Sequence, residues 1–378
     1  MDVTTRVVTA MRAAPLAKSR VLPLDWLRGL VMVLMTVDHS SGAFNAGRLF
    51  GDSAQTYVPG SALPAAQFFT RWITHLCAPT FLFLAGYSLF VSVERRRRDG
   101  ESEAAITRFI VIRGLLIAVL DPTWMLLVHR LQPVLQVLYA IGVSMIAMAF
   151  LRRLPPRLCG ALGLLIIVLH EALASALAPV HGFGGALTVL ALVPGKVGPF
   201  PVWYSFLPWL AVMLLGWAAA DIARRAPESF QARLLFAGGV ALLVFAVVRG
   251  LNGYGNAGLF REDGSLIQWL HTAKYPASLS YLACELGIAW LLLGALWTAE
   301  LPGWARAVLT PLGQSAFFFY LLHAHLLRLT AWTTGQLHRT GLGITYFAAA
   351  VVVVLLVPFC EWFRRYKVAH PGSLARYI

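Results

Sequence analysis

The chain has 378 residues, of which 58% are hydrophobic and only 13% charged, and its mean hydropathy is +0.70. That balance excludes an ordinary water-soluble domain and implies a lipid solvent. The net charge of +14 would suit a nucleic-acid binder, but the basic residues sit in short clusters at the ends of apolar runs, where orientation signals belong, so no nucleic acid is expected as a partner.

Residues 1–20 are basic and polar, with Arg6, Arg12, Lys18 and Arg20 and no long apolar core before Pro23. They read as a cytoplasmic tail rather than a cleavable leader. A membrane-crossing helix needs roughly 20 apolar residues. Such runs are predicted at 24–44, 67–93, 107–128, 132–151, 158–178, 203–222, 232–250, 277–298, 307–331 and 342–362. The clusters Arg95 to Arg98, then Arg152, Arg153 and Arg157, then Arg224 and Arg225, then Arg364, Arg365 and Lys367 fall on alternate connections. The positive-inside bias assigns all of them to the cytoplasm. The expected fold is all-α, a polytopic transmembrane helix bundle of about ten spans in the inner (cytoplasmic) membrane with both termini cytoplasmic. A membrane domain over 21–365 would then be followed by a cytoplasmic tail over 366–378.

The connections 45–66, 179–202 and 251–276 are the long ones and would lie outside, with a length suited to shaping an entrance. Ala186 to Val193 is apolar but too short to cross, and reads as interfacial or re-entrant. Cys77, Cys159, Cys284 and Cys360 lie in or beside apolar runs with no CxxC spacing, so neither a metal site nor a disulfide framework is expected.

Ionisable residues inside a span are expensive and mark candidate sites. The first run, LDWLRGLVMVLMTVDHSSGAF, holds Asp25, Arg28, Asp38 and His39. Eleven residues separate Arg28 from His39, about 1100° of helical turn, so the two lie about 20° apart around the axis and roughly 16 Å apart along it. One face would carry a cation at its inner end and a titratable base at its outer end. The plainer reading is that Arg28 pairs with Asp25 at i, i+3 and anchors the helix at the headgroups. In the second run Arg71 and His75 share a face at i, i+4, and Pro79 is expected to kink the helix beside a cavity. At a similar outer depth lie Asp121 before Pro122, His170 and Glu171, Lys274 and Tyr275, and His323 and His325. The last two point about 200° apart, so at most one can face a site. His129, His181, His338 and His370 fall in loops or tails and read as solvated. No HExxH, P-loop, GxSxG or paired-carboxylate motif is present, which argues against a metal hydrolase, an ATPase and a serine esterase.

LDWLRGLVMVLMTVDH, FFTRWITHLCAPTFLFLAG, LQVLYAIGVSMI, YSFLPWLAVMLLGW, KYPASLSYL and LGQSAFFFYLLHAHL resemble, in order and over most of the chain, the motifs of bacterial membrane proteins related to heparan-α-glucosaminide N-acetyltransferase. The first run also resembles the broader membrane acyltransferase-3 group, whose arginine and histidine fall on Arg28 and His39. The resemblance implies transfer of an acyl group, usually acetyl, from cytoplasmic acetyl-CoA to a sugar or glycan across the bilayer, by histidine chemistry. It departs at one point: residues 45–66 contain no histidine, where the lysosomal enzymes have theirs. The base would then be His39 or His75, with Asp38 to orient it. A thioester donor needs cations for its phosphates, and Arg28, Arg108 and Arg113 lie toward the cytoplasmic half. Arg71, Asp121, Lys274, Tyr275 and His323 are candidates for contact with the acceptor. A homodimer is left open. A proton-coupled transporter using Asp38, His39 and Asp121 is the rival reading, and a non-catalytic scaffold a third; the absence of an internal repeat stands against the transporter.

Overall fold

A computed structural model describes residues 21–177, 181–370 and 372–377; the predicted tail 1–20, with its basic residues, lies outside them. Helix α1 (Leu22–Phe44) is followed by α2 (Ala65–Ile73), which passes through a 3-10 turn (Thr74–Leu76) into α3 (Cys77–Arg98). Then come α4 (Glu103–Leu120), α5 (Val137–Leu151), α6 (Pro156–Leu177) and the short α7 (Gly182–Ala191). A small antiparallel hairpin, β1 (Gly195–Val197) and β2 (Phe200–Val202), precedes α8 (Phe206–Arg225), α9 (Pro227–Leu251) and α10 (Leu266–Leu270). The chain closes with α11 (Leu279–Trp297), α12 (Gly303–Gln314), α13 (Ala316–Thr333) and α14 (Leu342–Ala369).

Every predicted run falls on helix, but not every helix has the length and composition of a span. Among the described residues seven qualify, or eight if α12 and α13 count as one. Helix α5 has only 15 residues. Helix α1 is 23 residues long but is absent from the qualifying set, because Asp25, Arg28, Asp38 and His39 interrupt its apolar sequence. Helix α14 runs on to Ala369, so the expected boundary at 366 lies inside it. The hairpin was not expected either: a turn at Gly198, with φ +56°, lets Lys196 pair with Pro201.

Local chemistry explains the starts and breaks. Ser102 opens α4 by accepting from the Ala105 N–H at 3.2 Å, and Ser278 opens α11 by accepting from Tyr281 at 3.1 Å. The 3-10 turn before α3 sits one turn ahead of Pro79, whose missing N–H leaves the His75 carbonyl without its helical donor. Tyr281 donates its hydroxyl to that carbonyl at 3.0 Å. The run expected as one span over 307–331 is instead broken at Ser315, where α12 and α13 meet at 94°. Pro311 lies inside α12, and Ser315 donates its hydroxyl to the Cys360 carbonyl of α14 at 2.9 Å.

Helix α1 is packed by α12, α13, α14, α3 and α11, while α8 is packed by α3, α6 and α5. The α1–α12 approach depends on glycine. A Cβ at Gly313 would lie 1.9 Å from the Asp25 carbonyl oxygen, and one at Gly29 would lie 2.2 Å from that of Leu309. Backbones this close are how helices associate in lipid, where no hydrophobic effect drives them together. The arginine clusters gather at one end of the bundle. Glu103 accepts from both Arg97 and Arg152, at 2.7 and 2.5 Å, and the Arg224 guanidinium lies over Phe90 at 5.7 Å. All four cysteines are buried and unpaired.

Candidate active site

A cavity of about 720 Å³ follows α1 from this arginine-rich end to the opposite, loop-covered end. Near the first end it is lined by Arg28, Ser88, Ser92, Arg113, Gln314 and Lys367. Arg28 donates to Asp25 at 3.0 Å, to the Gly313 carbonyl at 3.1 Å and to Ser88 at 2.9 Å. The Gly313 carbonyl belongs to the last turn of α12, where a cation is favourable; Gln314 completes the set by donating to Asp25 at 2.9 Å. Arg28 thus pairs with Asp25, as the anchoring reading has it, and also lines the cavity. Arg113 lines it with a buried Nε that finds no acceptor among the described residues. Arg108 is exposed on α4 and lies outside the cavity. Along the middle run Met32 and Met35 of α1, Phe81 and Ala85 of α3, and Ile141 and Met145 of α5.

At the loop-covered end lie Asp38, His39, Arg48, Arg71, Lys274 and Tyr275. His39 Nδ1 is 2.7 Å from His323 Nε2, and the two rings are nearly parallel with centroids 4.8 Å apart. With the nitrogens so close, that separation sets the rings edge to edge. His323 Nδ1 lies 2.9 Å from the Phe319 carbonyl oxygen, which can only accept. The neutral His323 therefore carries its proton on Nδ1 and accepts at Nε2. His39 must then donate from Nδ1, which leaves its Nε2 unprotonated, with a lone pair available on the half-buried side chain that lines the cavity. His323 itself is fully buried behind His39 and does not line the cavity. His325 points elsewhere, its ring nitrogens bonded to the carbonyls of Leu321 and Trp124, in line with the 200° separation.

Asp38 makes no bond to His39. Its Oδ1 accepts from Arg48 at 2.9 Å, Arg71 at 2.5 Å and Thr74 at 3.2 Å. Arg71 reaches on to Asp52 with both Nε and Nη2, and His75 Nε2 lies 3.3 Å from the other Asp52 oxygen without hydrogen-bond alignment. Burial raises the Asp52 carboxyl, but Arg71 and His75 outweigh it and hold the group well below the usual carboxylate range. The order of side chains is Arg48, Asp38, Arg71, Asp52, His75, and His75 is at its far end, outside the cavity. Lys274 faces the cavity with its ammonium 5.9 Å from the Tyr204 ring and 5.5 Å from that of Tyr275.

Asp121 is buried away from the cavity and accepts from the N–H groups of Gln136 and Tyr139 at the start of α5, an anchoring role. His170 bonds the Ile167 carbonyl, and Glu171 accepts from the N–H groups of Ala257 and Leu279. Sequence reasoning missed Arg48 and Asp52, which sit in a loop with no periodicity to orient them. It also misplaced two histidines. His129 and His338, expected to be solvated, are half-buried and line the cavity, because their loops fold over its mouth; His181 and His370 are exposed.

Fold and cavity together define a polytopic helical membrane protein with a cavity along the bundle, arginine-bearing at both ends, apolar at its waist and imidazole-bearing at the loop-covered end. The heparan-alpha-glucosaminide N-acetyltransferase catalytic family matches residues 20–249, more than half of the sequence, and the chain belongs to that family of transmembrane acetyltransferases. The matched stretch holds Arg28, Asp38, His39, Arg71 and His75, while Lys274 and His323 lie beyond it. No curated protein sequence matches the chain.

Proposed function

We propose that the protein moves an acetyl group from acetyl-CoA, bound at the arginine-rich end, to a sugar amine or hydroxyl presented at the loop-covered end. The observation that carries this reading is the single cavity joining Arg28 and Arg113 to the free Nε2 of His39. Arg113, and Arg28 beside it, suit the phosphates of a CoA thioester. The clustered arginines at that end favour its being cytoplasmic, in the inner membrane, with the acceptor outside.

In this mechanism His39 Nε2 takes the proton of the acceptor as its nitrogen or oxygen bonds to the thioester carbonyl carbon. As the carbon–sulfur bond breaks, His39 returns that proton to the departing CoA sulfur. His323 acts through His39: its Nε2 accepts the Nδ1–H and stabilises the transient imidazolium, while the Phe319 carbonyl fixes its own tautomer. Arg48 and Arg71 hold Asp38 beside the base without spending its carboxylate on the imidazole. Lys274, Tyr275 and Tyr204 offer an aromatic and cationic wall for the acceptor.

Purified protein in vesicles, given acetyl-labelled CoA and a panel of sugars, should yield acetylated sugar. His39→Ala should bind acetyl-CoA and transfer nothing. Failure of the wild type to bind any CoA thioester, with sugar or proton flux instead, would overturn the assignment in favour of transport.

A further inference from the structure

Beyond the imidazole, the cavity opens between two guanidiniums that no carboxylate accompanies. Arg130 Nη2 lies 2.7 Å from His338 Nε2, and Arg328 Nη1 lies 3.5 Å from the same nitrogen. One neutral lone pair is thus the shared acceptor of two cations, and among the described residues neither arginine has an acidic partner. All three side chains line the cavity. Burial, together with Arg130, Arg328 and Arg48, lowers the His338 imidazole pKa, so the cluster gains no relief from a charged partner and adds no third cation.

The backbone beneath the cluster is strained at the same place. Arg130, Leu131 and His338 have φ of 57°, 62° and 55°, the left-handed region that residues with a Cβ rarely occupy. Such conformations persist only where the surroundings impose them, and they gather at ligand-binding sites. The two cationic side chains and the imidazole converge from three separate elements: the turn after α4, helix α13, and the loop before α14. That last loop is pinned to α1, with the His338 N–H donating to the Ala43 carbonyl at 2.9 Å. Ala43 is four residues past His39, about 6 Å along the helix, or the width of one sugar ring.

We infer that Arg130, Arg328 and His338 form an anion site for a phosphate ester carried by the acceptor, one helical turn beyond His39. Two guanidiniums match a phosphate monoester, which carries nearly two charges and offers three acceptor oxygens, better than they match a singly charged sulfate ester or carboxylate. An acceptor held by its phosphate there would span one ring and present an amine or hydroxyl to His39 Nε2. The assignment rests on the acyl-transfer reading for the role of the bound sugar, but not for the binding itself.

The test is therefore a binding measurement on the purified full chain without acetyl-CoA, using glucosamine, glucosamine 6-sulfate and glucosamine 6-phosphate as probes. Glucosamine 6-phosphate should bind at least about tenfold more tightly than glucosamine, the effect of one charge-assisted contact, and more tightly than the sulfate. In Arg130→Ala and Arg328→Ala the preference for phosphate over the neutral sugar should shrink, and Arg328→Lys should restore part of it. Equal affinity for phosphorylated and neutral sugar would overturn the site, as would a preference for sulfate or a preference that survives in both alanine variants. Acetyl-CoA binding, measured separately, reports on the transferase reading, so either can fail without the other.

Discussion

At His39 the expected loss is in turnover rather than in donor affinity, because its free Nε2 lies some 16 Å along α1 from Arg28. Removing a general base typically costs about 10² to 10⁴ in rate, so His39→Ala should lower kcat by that order and leave acetyl-CoA binding near the wild type. His323→Ala should cost less and act on kcat alone, and His323→Gln should recover part of the loss, since a glutamine carbonyl can accept the Nδ1–H of His39. A purely structural role for His323 would show no such recovery. At the mouth, burial lowers the pKa of the His129 imidazole to about 4, and its Nε2 has no hydrogen-bond partner among the described residues. As pH falls below about 6.5 the unfolded chain takes up a proton that the folded protein refuses until near pH 4, so stability is full above 6.5 and drains away between those values. The loss should reach about 3 kcal/mol at most, seen as a falling Tm in detergent that flattens in His129→Gln. The shared face of Arg28 and His39 was legible from an eleven-residue spacing. The partner of His39 was not, because His323 lies 284 residues away and no periodicity relates the two.

Helices were legible wherever apolar runs were long, and their interruptions were only partly so. Pro79 announced a break, but the compensating group, the Tyr281 hydroxyl on α11, is 206 residues from the carbonyl it satisfies. Tyr281→Phe should leave the buried His75 carbonyl unpaired and cost about 1–3 kcal/mol, measured as a loss of Tm with acetyl-CoA affinity retained. The 94° turn at Ser315 was hidden inside a continuous apolar sequence. What fixes it is tertiary: Gly313 against Asp25, and the bonds from Arg28 to Gly313 and from Ser315 to Cys360. The polar residues of α1 were read as a functional stripe, and those same residues leave it without the composition of an ordinary span. It is held by the helices around it, and its charged groups face them and the cavity instead of lipid.

For the whole molecule, the meeting of Arg97 and Arg152 on Glu103 and of Arg224 with Phe90 puts the basic clusters at one end, so a single orientation should account for every reporter fusion. Fusions after Arg98, Arg157 and Arg225 should read cytoplasmic, and fusions within 45–66 and 251–276 external. A reporter after Arg98 that read external would invert the proposed direction of transfer. The cavity carries one further consequence, in electrical terms. A cavity along the bundle would short-circuit the membrane if protons or sodium could follow it. Its waist of Met32, Met35, Phe81 and Met145 offers an ion no ligands, and the arginines at both ends repel cations before they reach it. Vesicles carrying the protein should therefore hold a proton gradient as long as empty ones do, with or without sugar, and under the proposed transfer the bilayer would remain an insulator.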